Sequence, residues 1–124
     1  MKYTIETDHQ NRVMICVFEG TLNTEIARKA TRELNREALQ NNYNKLYDVT
    51  GAKLSASLGD SYFFPRELLR VFNEKEYKNL KVAIYFADQK DQEFWDFFKN
   101  TSQNVGYTIE TFRSRNEAMK WLND

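Results

Sequence analysis

One histidine, one cysteine, one proline and four glycines leave this 124-residue chain short of several kinds of chemistry. A single cysteine, Cys16, forms no internal disulfide. In the apolar run Val13-Met-Ile-Cys-Val-Phe18 it reads as a small buried hydrophobe, because a reactive thiol needs an electropositive, partly exposed setting. The histidine, His9, stands in the turn sequence Asp8-His-Gln-Asn11, at a spacing from Cys16 that fits no ligand motif. With no HExxH, CxxC or EF-hand loop, neither a metal nor a cofactor is expected. The same shortage removes Ser-His-Asp and Cys-His catalysis, unless His9 folds beside a serine or Cys16. The glycines do not cluster, so there is no phosphate-cradling loop of the P-loop or GxGxxG kind. Lys plus Arg equals Asp plus Glu at 18 each, and a chain without basic excess has no net field to draw nucleic acid or an anionic membrane. No apolar stretch approaches the ~20 residues of a membrane span. Met1-Lys-Tyr-Thr-Ile-Glu opens as a strand pattern instead of a signal peptide, so a cytoplasmic protein is expected.

What the chain has is aromatic bulk. Mean hydropathy is only −0.74, yet 15% of residues are Phe, Trp or Tyr. A chain of this length fits one domain, 1–124, that buries roughly two-thirds of its unfolded surface. Lys2–Thr7 alternates polar and apolar, as a half-exposed edge strand does, and Lys2 and Glu6 discourage further pairing along it. Val13–Phe18 is continuously apolar, the mark of a strand covered on both faces. Gly20 and Asn23 break the chain before a helix from about Thr24 to Gln40, with Ala27, Ala30, Leu34 and Ala38 along one stripe. Lys45–Val49 is the third strand, and Thr50–Gly59 reads as a loop.

Pro65 suits the first turn of the next helix, which continues through Leu68, Leu69 and Phe72; a start nearer Asp60 with a bend at Pro65 is the competing boundary. Leu80–Ala87 is a buried strand, and Asp88 or Asp91 caps a helix that buries Phe94, Trp95 and Phe98 and stops near Gly106. The last unit is the clearest. Tyr107–Phe112 alternates as a strand, Ser114 and Glu117 have capping-box spacing, and Ala118, Trp121 and Leu122 form one apolar stripe. The order ββαβαβαβα implies an α/β domain: a five-stranded mixed, mainly parallel sheet with four flanking helices and one antiparallel edge strand.

Three groups of residues could act on something else. Asp48 lies near the end of the third strand and Asp88 ends the fourth, which puts both at the carboxyl edge of a parallel sheet, where open α/β folds bind ligands at a topological switch point. Capping and loop hydrogen bonds also explain both aspartates. Ser55 and Ser57 precede the second helix, whose N-terminus would accommodate a phosphate; either serves equally as a loop or cap residue. Among the aromatics, Phe63 and Phe64 point about 100° apart on a helix, and Phe97 falls beside the stripe of Phe94, Trp95 and Phe98. An outward member of each cluster could line a pocket or partner surface, and the alternative is a wider core stripe.

Four segments, Val13–Gly20, Lys45–Gly51, Lys81–Ala87 and Phe112–Leu122, resemble the SpoIIAA-like proteins, relatives of the STAS domains. STAS antagonists switch partners through a phosphorylated serine in an Asp-Ser-Ser-Gly motif at the start of the second helix. The corresponding residues here are Ala56-Ser57-Leu58-Gly59, so Ser57 and Gly59 match while Ala56 and Leu58 depart. The fold of SpoIIAA-like proteins also looks like the CRAL-TRIO lipid-binding domain. The resemblance therefore implies two non-enzymatic roles. One is a regulatory module binding a protein partner, or a second copy of itself, with Asp48, Ser55 and Ser57 at the partner or phosphate site. The other is a carrier of a small apolar or lipid-like ligand, with Phe63, Phe64 and Phe97 as its aromatics.

Overall fold

The structure, a computed structural model, describes residues 2–71 and 80–124, without the side chains of residues 62 and 68–71. Its elements follow the expected order: β1 (Tyr3–Asp8), β2 (Val13–Leu22), α1 (Thr24–Asn41), β3 (Asn44–Leu54), α2 (Leu58–Val71) and β4 (Lys81–Tyr85). A 3-10 turn (Gln89–Asp91), α3 (Gln92–Asn104), β5 (Thr108–Phe112) and α4 (Arg115–Leu122) complete it. The expected continuation of α2 to Phe72 lies outside the described residues.

The strands stand in the order β1-β2-β3-β4-β5, with β1 antiparallel to β2 and the others parallel. Each parallel crossover moves one place in the same direction. Right-handed crossovers that all step the same way set their helices on the same face. Met14, Cys16, Phe18, Tyr47, Val49, Val82 and Ile84 accordingly meet Ala30, Leu34 and Ala38 of α1 and Trp95 of α3 in one core. The opposite face carries Val13, Ile15, Leu46 and Ala83, and α4 covers it with Ala118 and Leu122. Because successive side chains along a strand point to opposite faces, the uninterrupted burial of β2 follows from this arrangement.

Two boundaries differ from expectation. Thr50–Leu54 is strand, not loop: β3 continues beside Glu19–Leu22 after the pairing shifts between Val17 and Glu19. Gly20 there takes φ +75, a conformation that glycine adopts without strain, so it bends the strand instead of ending it. The helix of Pro65 starts not at the proline but at Leu58, close to the competing boundary near Asp60, and the proline sits inside it. Ser57 and Asp60 hold that earlier start: the Asp60 N–H donates to Ser57 Oγ (3.2 Å) and the Ser57 N–H to Asp60 Oδ2 (2.9 Å). Aspartate here completes the reciprocal capping that glutamate usually supplies.

A proline inside a helix has no N–H for the carbonyl four residues back, which here belongs to Ser61. That carbonyl is not abandoned. Thr101 Oγ1, buried on α3, donates to it at 2.8 Å, and the Tyr107 hydroxyl donates to Pro65 O at 3.4 Å. α2 is thus fastened to α3 by the carbonyl that the proline sets free. We expect Thr101→Val to lower stability by about 1–3 kcal/mol, the cost of an unsatisfied buried acceptor. With Pro65→Ala the helix recovers its own N–H donor, and the same Thr101 substitution should cost measurably less. Urea unfolding of the four proteins of this cycle checks it; equal costs in both backgrounds would break the link.

Candidate functional site

Aromatic and small side chains do not fill the layer between the sheet and its three-helix face. A cavity of about 100 Å³ remains, with a largely apolar wall. Its floor is Phe18 of β2 and Tyr47 and Val49 of β3, and Phe18 and Tyr47 stack at 6.2 Å. Ala27 and Thr31 contribute from α1, Phe64 and Pro65 from α2, and Phe94, Trp95 and Phe98 from α3. The α3 residues brace one another: Phe94 and Trp95 pack edge to face at 4.9 Å, and Phe64 reaches Phe98 at 6.4 Å. Half-buried Asn23, Thr24, Ala56 and Asp60, at the carboxyl edge of the sheet, form the rim.

One lysine belongs to this wall. Lys45 follows the alternation of β3, so it faces the same way as Tyr47 and Val49, and only 2% of it is exposed. Its Nζ donates to Oδ1 of Asn35, a residue of α1 that is 1% exposed. Burial pushes its pKa from 10.5 down to about 7, because the ammonium is withdrawn from water. Tyr47 donates to Thr31 Oγ1 at 3.3 Å, and burial raises its pKa as well. Cys16, beneath the same face, is raised to about 12 by burial. Two buried donors near this layer, Asn35 Nδ2 and Trp95 Nε1, have no hydrogen-bond partner.

The residues singled out in the sequence fall in separate places. Phe64 is buried and lines the cavity, whereas Phe63 is 68% and Phe97 37% exposed on the outside. Asp48 points to the opposite face, accepting from the Thr50 N–H (3.0 Å) and Thr50 Oγ1 (2.7 Å) and lying 3.6 Å from Arg115. Ser55 and Ser57 are exposed beside the start of α2, and no described hydrogen bond joins either to Asp48. Asp88 caps the 3-10 turn through the Lys90 N–H (3.0 Å). The strand order never reverses among the described strands, so no switch-point crevice gathers these carboxylates. His9 pairs with the Tyr43 hydroxyl at 2.9 Å on the surface. Among the described residues, no group of three or more His, Cys, Asp or Glu could hold a metal, and no helix is long and apolar enough to cross a membrane.

Lys45 and Asn35 were legible only in part. Thr31, Asn35 and Ala38 continue the face of Ala27 at helical spacing, so their burial could have been read from the stripe. Lys45 shares the parity of Tyr47 and Val49, but a lysine opening a strand reads as a solvated end.

No family model matches the chain, and no curated protein matches it. Among solved structures, the crystal structure of an uncharacterised DUF3478-family protein from Shewanella loihica PV-4, described as having a SpoIIAA-like fold, superposes with a TM-score of 0.57. The match covers 97% of this chain and 91% of that one at 20% identity. The fold is SpoIIAA-like. At that identity the likeness speaks for architecture alone, so the chemistry of the SpoIIAA-like cavity rests on the residues described above.

Lys45 gives that cavity a pH signature. In the unfolded chain it holds a proton up to its ordinary 10.5, but in the fold only up to about 7. Between those values the unfolded state binds more protons, so stability rises with pH there and the penalty is fully developed below about 7. Lys45→Met should remove this slope and stabilise the protein at neutral and acid pH, on the order of a few kcal/mol. Urea midpoints measured from neutral to alkaline pH check it; parallel profiles for the two proteins would contradict it.

Proposed function

We propose that this domain is a non-catalytic binding module whose ligand is a small, predominantly apolar molecule held between the sheet and α1, α2 and α3. The observation that carries this reading is the cavity: a pocket of about 100 Å³ walled by Phe18, Tyr47, Phe64, Trp95 and Phe98. Protein interiors are ordinarily packed to crystal density, and a void lined by apolar groups is stable when empty and available to an apolar guest. Its size is of the order of the apolar cavities, roughly 150 Å³, that accept a benzene ring. The pocket aromatics are rigid and cross-braced, so little ordering is needed when a guest enters.

Filling the space should abolish the activity. Ala27 lines the cavity from α1 and is half-buried. Ala27→Phe is expected to weaken binding of hexan-1-ol, followed by calorimetry or by Trp95 fluorescence, by about tenfold or more. Undiminished affinity in a folded Ala27→Phe protein would sink the reading.

A second reading rests on a different surface. Ser57 is exposed at the cap of α2, Leu58 is 42% exposed and Phe63 68%, so apolar groups border a hydroxyl at a helix N-terminus. In this reading the start of α2 docks a regulatory protein partner, and phosphate on Ser57 switches the contact by adding charge. The mass of the chain isolated from its own host tests it: phosphate on Ser57 supports the switch, and a uniformly bare Ser57 speaks against it.

A further inference from the structure

The two edges of the sheet are finished differently. At β5 the Phe86 N–H donates to Phe112 O (3.1 Å), so Phe112 turns its backbone to β4, and by alternation Ile109 and Thr111 turn theirs outward. Side chains cover that edge. Gln103 Nε2 donates to Ile109 O (3.0 Å), and the Thr111 N–H donates to Oε1 of Glu110 (3.1 Å), which Lys99 holds at 3.2 Å. At β1 the Glu19 N–H donates to Lys2 O (2.9 Å), so Lys2, Thr4, Glu6 and Asp8 turn their backbone to β2. Tyr3, Ile5 and Thr7 then direct their N–H and C=O groups outward, and among the described residues no side chain bonds to them. An edge left open in this way is a template for another strand.

We propose that this edge joins two copies of the chain, β1 pairing antiparallel with β1 of a second copy about a two-fold axis at Ile5, so that the two sheets become one. The register argues for that occupant. With the axis at Ile5, Tyr3 faces Thr7 of the second copy and Ile5 faces its own counterpart, so all the outward residues of both strands exchange hydrogen bonds. Moving the axis to Thr4 or Glu6 leaves an outward residue without a counterpart in the strand. The same register sets Lys2 opposite Asp8 at both ends and Glu6 opposite Thr4, and opposite charges directly across a pair are stabilising. Asp8 is available as a charge: bonds from Asn11 Nδ2 (2.8 Å) and the Asn11 N–H (2.9 Å) hold its carboxyl below the usual carboxylate range. Lys2 and Glu6, which guard the edge against an arbitrary strand, thus admit this one. The helices do not obstruct the pairing. α1 lies over β2, so its two copies stand three strand spacings apart, about 14 Å, against about 8–10 Å for helices in contact.

Sedimentation equilibrium of the full chain tests this. The mass should rise from that of one chain toward that of two as concentration increases to about 1 mM. Lys2→Glu sets like charges opposite each other at both ends of the pair, as does Asp8→Lys, and each should weaken self-association about tenfold or more. Mixed in equal amounts, the two variants present opposite charges to each other at both ends, and their heterodimer should recover the wild-type affinity within about threefold. Ile5→Pro removes an N–H that points away from β2, so it should keep the fold by circular dichroism and abolish the dimer. A wild-type chain that stays monomeric throughout overturns the proposal. So does a dimer that persists in Ile5→Pro, or a mixture that associates no better than its two components.

Discussion

The one-sided stacking of α1, α2 and α3 is the constraint on which the rest of the molecule depends. Strands β2 to β5 advance through the sheet without a reversal, and right-handed crossovers leave those helices no other face. Three helices over four parallel strands must then match a single twisted surface. The match is close at α1, where Ala30, Leu34 and Ala38 are wholly buried against the sheet. It is looser between α1, α2 and α3, and the cavity lies where Ala27 and Thr31 of α1 meet the aromatic side chains of α2 and α3 over β3.

The other face shows the opposite economy. A single short helix, α4, seals Val13, Ile15, Leu46 and Ala83 with Ala118 and Leu122. Its terminal carbonyls are then secured by residues at the starts of β3 and β4. Asn44 Nδ2 donates to Leu122 O at 2.9 Å, and Lys81 Nζ donates to Trp121 O at 3.0 Å and Asp124 O at 2.7 Å. A cation at a helix C-terminus also meets the negative end of the helix dipole. Among the described residues that face uses its polar groups to close a helix and has no orphaned donors, whereas the three-helix face keeps a buried lysine in its cavity wall and two unmatched N–H groups in the same layer. The contrast sets the three-helix side of this SpoIIAA-like fold apart from the face that α4 closes.

Much of the architecture was legible in local pattern. The parity of Met14, Cys16 and Phe18 against Val13, Ile15 and Val17 shows a strand buried on both faces, and the Ser114 cap marks the start of α4, where the Glu117 N–H donates at 3.4 Å. Boundaries failed where a partner strand or residue decides the outcome. Gly51-Ala-Lys-Leu54 has weak strand propensity and becomes strand because the bulged end of β2 runs beside it. Pro65 reads as a helix start, yet a capping box that begins eight residues earlier, at Ser57, and a threonine from α3 let the helix run through it.

The candidate site was less legible for the same reason. Helical geometry separates Phe63 from Phe64 but cannot say which of them faces the sheet; the position of α3 settles that in favour of Phe64. Likewise Lys45 becomes unusual only once α1 lies over it with Asn35. Burial of a polar group is a property of two packed elements, and neither segment announces it alone.

The most direct measurement is a crystal structure of the protein under xenon pressure, because xenon enters apolar cavities without needing a particular head group. Anomalous density between Tyr47, Phe64 and Trp95 is the expected result, and it would establish that the space above β3 admits an apolar guest. A close-packed layer with no xenon at that position would contradict it, and with it the reading of this domain as a small-molecule binder.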